Sequence, residues 1–511
     1  MMARLKDLIE RLSSEDIPLS YVLLTFLASV MLRTFWEHTL LVQAPVSTGW
    51  GMDHAHYLFF YIALALSLTC LLYALTGERI VRIIRVVFPA FIALNLVPFV
   101  DRVFGARDAF HVSYYFPDKH PDILTHFLFF FGPLEQTGAT PGMRVEIALV
   151  LLLSGLYVFI KTRQLWHAVI GALLVYALIF AFIATPVVVQ MVGGLFNIQP
   201  QTDMAFIVRL YLLIIFPLGL LVSYWAAPDV FKALVRDLRW MRLAHYLLLI
   251  LLGAVVSSKE ALGMVSVGQE GFFRIFFLVF STTLAWAFSV ISNNWADTAI
   301  DCVSNPQRPS VTGVVAPEVY RRIGWCCLWG AGIYALAVSA ATLEIVAVFS
   351  GAYFIYSMPP LRLKRLTVLS KFVLGFNALL MFMQGYMFWL DATTVALPII
   401  LFFLLFMSLS SNFIDLKDVE GDRAAGVKTL PVVLGAVWAK RLIGLAFILT
   451  YMAAFETFHL KGCFLVCFVT GLVQCVLVNR VKYDEKPLLW VHLASLIFII
   501  SYVVVTTGGM F

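Results

Sequence analysis

Two acidic stretches, about 120 residues apart, carry side chains that could bind metal ions. On continuous helices, Asn293, Asp297 and Asp301 would stand at i, i+4 and i+8 and would line one helix face, and the second stretch would line another. Magnesium prefers hard oxygen ligands and binds through one or two carboxylates, waters and substrate phosphates. Two facing rows therefore predict two Mg²⁺ ions around one diphosphate. The predicted metal ligands are Asn293, Asp297, Asp301, Asp415, Asp418 and Asp422.

The composition indicates where these carboxylates lie. Of the 511 residues, 61% are hydrophobic and 13% are charged, and the mean hydropathy is +0.92, whereas charged residues make up about a quarter of a soluble domain. This composition predicts an all-α polytopic membrane protein and excludes a soluble enzyme. A carboxylate at membrane depth is costly, so the two acidic stretches indicate a functional site. The net charge of +6 is modest and says little by itself. We expect membrane lipids and no nucleic acid as partners.

Apolar segments long enough to cross a bilayer occur in two blocks, about six and then about nine, which gives about 15 transmembrane helices. The first block lies at about 17–36, 56–76, 83–100, 145–160, 165–192 and 204–227. The second lies at about 243–266, 272–292, 323–341, 343–358, 370–390, 394–413, 432–456, 462–479 and 487–507. The blocks meet between Pro228 and Arg242, so we predict two domains, 1–228 and 229–511. The apolar run Ile123–Leu134 is too short to span and predicts an interfacial or re-entrant segment.

Basic residues are concentrated in alternate loops, which predicts the topology. Loops with an excess of Lys and Arg lie on the cytoplasmic side. The basic groups that share this side are Arg4, Lys6 and Arg11; Arg79, Arg82 and Arg85; Lys161 and Arg163; Arg308, Arg321 and Arg322; Arg362, Lys364, Arg365 and Lys371; Arg423 and Lys428; and Arg480 and Lys482. We therefore predict a cytoplasmic N-terminus, acidic stretches that face the cytoplasm, and a C-terminus outside.

In four elements the chain resembles the UbiA superfamily of intramembrane prenyltransferases. These elements are Asn293–Asp301, then Asn305–Pro309 with Gly313, then Tyr356–Arg365 (YSMPPLRLKR), and Asp418–Pro431 (DVEGDRAAGVKTLP). They occur in the family's order, and the resemblance covers roughly residues 240–511. It implies a nine-helix bundle there, and it leaves the multi-span block 1–228 without a recognised family or function.

One position departs from the family pattern. Asn294 stands where most members have the first aspartate of the first motif. An amide can still coordinate a metal or form hydrogen bonds, but it removes one negative charge. The departure puts in doubt either the strength of one metal site or the part this position takes in it.

The resemblance implies Mg²⁺-dependent transfer of a polyprenyl group from an isoprenyl diphosphate to a lipophilic or aromatic acceptor. Its implied catalytic carboxylates are Asp297, Asp301, Asp415, Asp418 and Asp422. Its implied diphosphate-binding residues are Asn293, Arg308, Lys364, Arg423 and Lys428. We assign the prenyl or acceptor pocket to Tyr356, Asn377 and Gln384, although hydrogen bonding between helices also explains the last two amides. Aromatic faces could stabilise an allylic cation, and the candidates on span five are Phe372, Phe376, Phe382, Tyr386 and Phe388, a stripe that packing also explains.

Several alternatives remain open. A terpene cyclase on the same scaffold would trap the cation within its own substrate, and a non-catalytic lipid-binding protein or transporter could couple acidic residues to ions. Ion pairs at the membrane surface are a simpler explanation for acidic stretches. For the acceptor, the Asn305–Pro309 pattern and the run VEGDRAAG are closer to members acting on chlorophyllide or archaeal glycerol lipids than to the hydroxybenzoate enzymes.

The amino-terminal block holds six of the ten histidines on its predicted outer side. These are His38, His54, His56, His111, His120 and His126. Imidazole is a common metal ligand, so a site formed by His38, His54 and His56 is one interpretation. Ordinary interfacial hydrogen bonding is the other.

Overall fold

The computed structural model describes residues 7, 9–14, 16–42, 50–104, 114–116, 122–133, 139–195, 203–260, 269–388, 394–424 and 426–506. Throughout these ranges the regular elements are helical, so the predicted all-α class is confirmed. The chain divides into two compact units, Met1–Pro228 and Asp229–Phe511.

Among the described residues, thirteen helices are long and apolar enough to cross a membrane, six in the first unit and seven in the second. Two more helices match predicted spans. Pro317–Val338 has 22 residues but carries Glu318, Arg321 and Arg322 in its first turns, and Phe464–Val478 has 15 residues. Each of the fifteen predicted spans therefore has a helical counterpart, and the polytopic membrane architecture is confirmed.

The first unit contains nine helices within its described residues. They are α1 (Leu19–Glu37), α2 (Trp50–Thr76), α3 (Ile80–Ala90), α4 (Leu96–Val103), α5 (Ile123–Leu128), α6 (Pro141–Thr162), α7 (Leu165–Ile183), α8 (Thr185–Leu195) and α9 (Met204–Ala226). The predicted span 165–192 is interrupted at Ala184, because Pro186 cannot donate the backbone hydrogen bond that would continue the helix. The run predicted to be too short to span forms α5, which has six residues and is capped by the Asp122 side chain.

The predicted histidine cluster is only partly described. His56 is buried, with Nε2 2.6 Å from the hydroxyl of Tyr114. The rings of His38 and His54 stack with centroids 6.0 Å apart. His111 and His120 lie outside the described residues. No group of three His, Cys, Asp or Glu side chains in the described part of the chain is arranged to hold a metal ion.

The second unit follows a linking helix, α10 (Pro228–Asp237). Its helices are α11 (Trp240–Glu260), α12 (Gln269–Ala296), α13 (Thr298–Ser304), α14 (Pro309–Thr312), α15 (Pro317–Val338), α16 (Ala340–Ser357), α17 (Thr367–Tyr386), α18 (Leu397–Leu401), α19 (Ser408–Ser410), α20 (Val419–Ala424), α21 (Leu430–Leu434), α22 (Ala436–Thr457), α23 (Phe464–Val478) and α24 (Glu485–Thr506). A π turn (Phe402–Met407) joins α18 to α19, and a 3-10 turn (Ser411–Lys417) follows α19.

Helices α11 and α17 approach closely because a glycine on each helix faces the backbone of the other helix. A Cβ atom added at Gly385 would collide with the backbone of Ile250, and one added at Gly253 would collide with the backbone at Phe382. Small residues permit such contact between helices in a membrane, where van der Waals packing holds helices together. This contact fixes α11, which forms one wall of the site described next.

Candidate functional site

Both acidic stretches interrupt a helix at an aspartate. Helix α12 ends at Ala296 and α13 begins at Thr298, with Asp297 between them at φ −104° and ψ 9°. The 3-10 turn likewise ends at Lys417 and α20 begins at Val419, with Asp418 between them at φ −105° and ψ 12°. The stretches are therefore not single uninterrupted α-helices, although backbone hydrogen bonds from Asp297 to Asn293 and from Asp301 to Asp297 continue the helical spacing. Each break starts a short helix, and these two helices, α13 and α20, contact each other.

One cavity of about 240 Å³ receives both acidic stretches. It is lined by Asn293, by all five predicted aspartates, and by the predicted residues Arg308, Lys364 and Tyr356. Four predicted residues lie elsewhere. Arg423 and Lys428 are exposed, and Asn377 and Gln384 are buried in α17 outside the cavity, where their amides have no hydrogen-bond partner within the described residues. The assignment of these four residues to the site stays a prediction.

Basic side chains hold the carboxylates of the first stretch. Asp297 accepts hydrogen bonds from Arg362 at 2.6 Å and from Lys364, and Asp301 accepts one from Arg308. Lys364 belongs to a single 3-10 turn, Leu363–Arg365. Sequence reasoning had placed Arg362 only in a basic loop, although it stands two residues from Lys364 in the same segment.

The second stretch is less well neutralised. Lys371 donates to Asp415 Oδ1 at 2.6 Å, but Asp415 Oδ2 is buried without a partner in the described chain. Burial raises the pKa of Asp418. Burial, together with repulsion from Asp415 and Asp418, raises the pKa of Asp422 to about 6. Carboxylates that repel one another in a shared cavity favour a bound cation.

The donor set therefore suits Mg²⁺, but the carboxylates are not yet arranged around one point. In the described residues no three acidic, His or Cys side chains converge closely enough to hold a metal. Asp297 and Asp301 are held by Arg362, Lys364 and Arg308 instead. To act as ligands, they would have to rotate out of these ion pairs.

Asn294 does not line the cavity and forms part of a buried hydrogen-bond network. It is fully buried, and its Nδ2 donates to Asp237 and to the hydroxyl of Tyr320 at 3.0 Å. Its Oδ1 accepts from Arg239 Nη2 at 2.7 Å. Asp237 and Arg239 flank the start of α11, and Arg239 also lines the cavity. The amide thus ties α12 to this junction.

Aromatic walls enclose the cavity beside the acidic end. They comprise Tyr246, Trp286, Tyr353 and Tyr356, with Tyr246 and Tyr353 joined through their hydroxyls. None of the five aromatic residues proposed on span five lines the cavity, so the packing interpretation fits that stripe. Further cations that sequence reasoning missed are Arg239, Arg242 and Lys417, which line the cavity as well.

The sequence was then compared with known proteins. The profile described as "UbiA prenyltransferase family" matches residues 246–501, half of the chain. The chain belongs to the UbiA prenyltransferase family. The resemblance inferred from the motifs is thereby confirmed, and the match lies within the second unit.

Among relatives, this UbiA family member is similar to chlorophyll synthase of Arabidopsis thaliana, with 33% identity over 29% of this chain and 40% of the plant protein. It is 30% identical to chlorophyll synthase of Oryza sativa subsp. japonica, over 38% of this chain and 56% of the relative. It is also 30% identical to digeranylgeranylglyceryl phosphate synthase of Halobacterium salinarum, over 40% of this chain and 74% of the relative. The matches thus span about half the length of the plant enzymes or less. The two groups favoured by the motifs both occur among these relatives.

A solved structure described as a UbiA homolog from Archaeoglobus fulgidus bound to GPP and Mg²⁺ aligns with 54% of this chain and 99% of its own. The sequence identity is 18% and the TM-score is 0.45.

Proposed function

We propose that the second unit, 229–511, transfers an isoprenyl group from its diphosphate to a lipophilic acceptor within the membrane, in a Mg²⁺-dependent reaction. The observation that carries this proposal is the single cavity that five aspartates from two broken helices share with aromatic walls. Curated relatives named as chlorophyll synthases and digeranylgeranylglyceryl phosphate synthases support it.

Ion pairs partly neutralise the carboxylates of the ligand-free cavity. Asp297, Asp301 and Asp415 each hold a basic side chain. With a diphosphate and its cations bound, Asp297, Asp301 and Asp415 would hold the metal, and Arg308 and Lys364 would be free to donate to phosphate oxygens. Bound Mg²⁺, in two sites by this proposal, would neutralise charge on the departing diphosphate. Arg239 and Arg242 extend the positive lining towards the aromatic walls.

Beside the charged end, the chain supplies a dry environment for an electrophile. The faces of Trp286, Tyr353 and Tyr356 present negative π density, which stabilises a cation held above them. Exclusion of water protects such an intermediate from hydrolysis. The cavity shares Met407, Ser410, Phe447 and His492 with a smaller apolar pocket of about 30 Å³. This apolar extension suits an isoprenyl chain.

The proposal also includes the orientation of the chain in the membrane and the role of each unit. The basic loops support a cytoplasmic active site, a cytoplasmic N-terminus and a C-terminus on the other side. The first unit, 1–228, lies outside the family match, and we assign it no catalytic role.

The test measures diphosphate release by the full chain in lipid nanodiscs, with Mg²⁺, geranylgeranyl diphosphate and a panel of lipophilic acceptors. Asp297→Asn and Asp422→Asn should each lower turnover at least about 10²-fold. Asp484→Asn, at an exposed carboxylate outside the cavity, should leave turnover unchanged.

Two other outcomes would replace the proposal. Release of diphosphate without any acceptor, with a cyclic hydrocarbon as the product, would identify a cyclase. Binding of the donor that is unaffected by Asp297→Asn, with no release under any condition, would identify a lipid-binding protein.

A further inference from the structure

The deep end of the cavity holds a pair of histidines that the acidic site does not use. His245 on α11 and His492 on α24 both line the cavity. His492 Nε2 and His245 Nδ1 lie 2.9 Å apart, within hydrogen-bonding distance. One of these two nitrogens must carry the proton that the other accepts, so the neutral pair holds one shared proton. The outer nitrogens, His245 Nε2 and His492 Nδ1, have no hydrogen-bond partner in the described chain, so the pair retains a free site for a proton.

The pair lies between the charged and the apolar parts of the cavity. Arg239 precedes α11 and lines the charged end together with Arg242. His245 follows along the helix, and Leu249 and Leu252 line the apolar pocket. At 1.5 Å per residue, His245 is about 5 Å along the helix axis beyond Arg242 and about 10 Å before Leu252. His492 itself borders both the cavity and the apolar pocket. The histidine pair therefore lies where the diphosphate of a bound donor would meet its hydrocarbon chain.

A buried amide beside the pair also lacks a partner. Gln474 on α23 lines the cavity and is fully buried, yet its Oε1 has no hydrogen-bond partner in the described chain. Its Nε2 donates to Tyr451 at 2.8 Å, and the Tyr451 hydroxyl lies 2.9 Å from Ser495 Oγ. Ser495 in turn donates to the backbone oxygen of His492 at 2.7 Å. This chain fixes the amide against α24 and leaves one acceptor atom free. An unpaired buried acceptor is costly, so its presence points to a ligand with a donor group.

We propose that His245, His492 and Gln474 form the acceptor subsite, and that the histidine pair takes the proton from a hydroxyl-bearing acceptor. This inference rests on the proposed function and deepens it. On binding, the acceptor hydroxyl donates to the imidazole nitrogen of the pair that carries no proton, and Gln474 Oε1 accepts from a second donor group of the acceptor. As its oxygen bonds to C1 of the isoprenyl group, the C1–O bond to diphosphate breaks and the electron pair leaves with diphosphate. The hydroxyl proton passes to an imidazole nitrogen of the pair. A carboxylate acceptor carries no such proton and needs no base, so the pair favours alcohols.

The charged and titratable groups around the pair are few. Arg242 stands one turn before His245 and is paired with Glu485 of α24 at 2.6 Å. Tyr246 follows on α11 and is bonded to Tyr353 of α16. Tyr451 of α22 lies beyond Gln474.

The test separates basicity from hydrogen bonding. Asn places its amide near the position of imidazole Nδ1, and Gln places its amide near that of Nε2. The double variant His245→Asn with His492→Gln can therefore keep a bond between α11 and α24 while it removes the base. His459→Asn is the control, because His459 lies outside the cavity and its φ of 53° is one that Asn tolerates.

Transfer from geranylgeranyl diphosphate is measured in nanodiscs with a glycerol-lipid alcohol and, separately, with a tetrapyrrole carboxylic acid as acceptor. We expect the double variant to keep its Tm and its Mg²⁺-dependent donor binding, and to lose alcohol transfer by 10²-fold or more in kcat. At saturating Mg²⁺, so that proton competition at Asp422 does not limit turnover, the acidic limb of the wild-type pH–rate profile should disappear in the variant. Gln474→Met should raise the KM for the alcohol at least about fivefold with donor affinity unchanged.

Three results would overturn the inference. The first is alcohol transfer by the double variant at the wild-type rate and pH profile. The second is an equal loss with both acceptors, because a structural role alone produces that pattern. The third is a wild-type protein that turns over only with the carboxylic acid. If the wild type releases no diphosphate with any acceptor, the proposed function fails and the inference fails with it.

Discussion

The replacement Asn294→Asp would bring the first motif into line with the pattern that it resembles, and the structure predicts that it harms this protein. Asn294 Nδ2 donates to the carboxylate of Asp237 in a fully buried position. An aspartate has no donor there and would place a second carboxylate against the first. Within the described ranges, Arg239 is the one cation bonded to this position, and it already donates to Asn294 Oδ1 at 2.7 Å. Tyr320 can turn its hydroxyl to donate, so its bond is not lost.

The magnitude follows from these contacts. Leaving a buried acceptor unsatisfied costs about 1–3 kcal/mol, and more when that acceptor is charged. Repulsion between the two carboxylates adds to this, and protonation of one of them limits it, as burial already raises the pKa of Asp237. We expect Asn294→Asp to destabilise the second unit by about 2–4 kcal/mol and to lower Tm by at least about 4 °C.

The decisive assay is a double-mutant cycle with Asp237→Asn. The double variant exchanges the amide and the carboxylate between positions 237 and 294 and re-forms a donor–acceptor pair. We expect it to recover about 1–3 kcal/mol of the loss, measured as a coupling energy. Thermal unfolding in nanodiscs gives the stabilities, and Mg²⁺-dependent donor binding reports whether Arg239 still faces the cavity. Wild-type stability in Asn294→Asp, or purely additive effects in the double variant, would refute the role of Asn294 described here.

Two further predictions concern the metal site and the helix contact. The pKa of Asp422 is raised to about 6, so the carboxyl holds a proton at pH values where a free aspartate is ionised. Because Mg²⁺ must displace that proton, its affinity should weaken by up to about tenfold per pH unit as pH falls below 6. Titration of the Trp fluorescence with Mg²⁺ between pH 5 and 8 measures this affinity. The fall in Mg²⁺ affinity below pH 6 should vanish in Asp422→Asn but persist in Asp484→Asn. At the helix contact, Gly385→Ala forces a Cβ atom into the backbone of Ile250 and should lower stability by about 1–3 kcal/mol. Gly351→Ala has open space at its Cβ position and serves as the matched control; equal Tm values for the two variants would contradict the close packing of α11 and α17.

The places where sequence reasoning differs from the structure have a common physical origin. It treated each acidic stretch as one uninterrupted helix, whereas the chain breaks at Asp297 and Asp418. It assigned Asn377 and Gln384 to the pocket because they are polar within a span, but the direction in which a helix turns its polar residues depends on its neighbours. It assigned Arg423 and Lys428 to the diphosphate because the second acidic stretch leads into their basic loop. The structure leaves both exposed, and this assignment stays a prediction.

The sequence alone determined the fold class and the spans, and it predicted the chemistry. Apolar segments of membrane-spanning length predict helices, because no other open structure satisfies backbone hydrogen bonds in lipid. The spacing and types of the acidic and basic residues indicated a metal and diphosphate site. Only the tertiary structure decided which side chains share the cavity, since that depends on how helices far apart in the chain pack. The contact between α13 and α20, the withdrawal of Asn294 into the bond with Asp237, and the pairing of His245 with His492 across 247 positions are all of this kind.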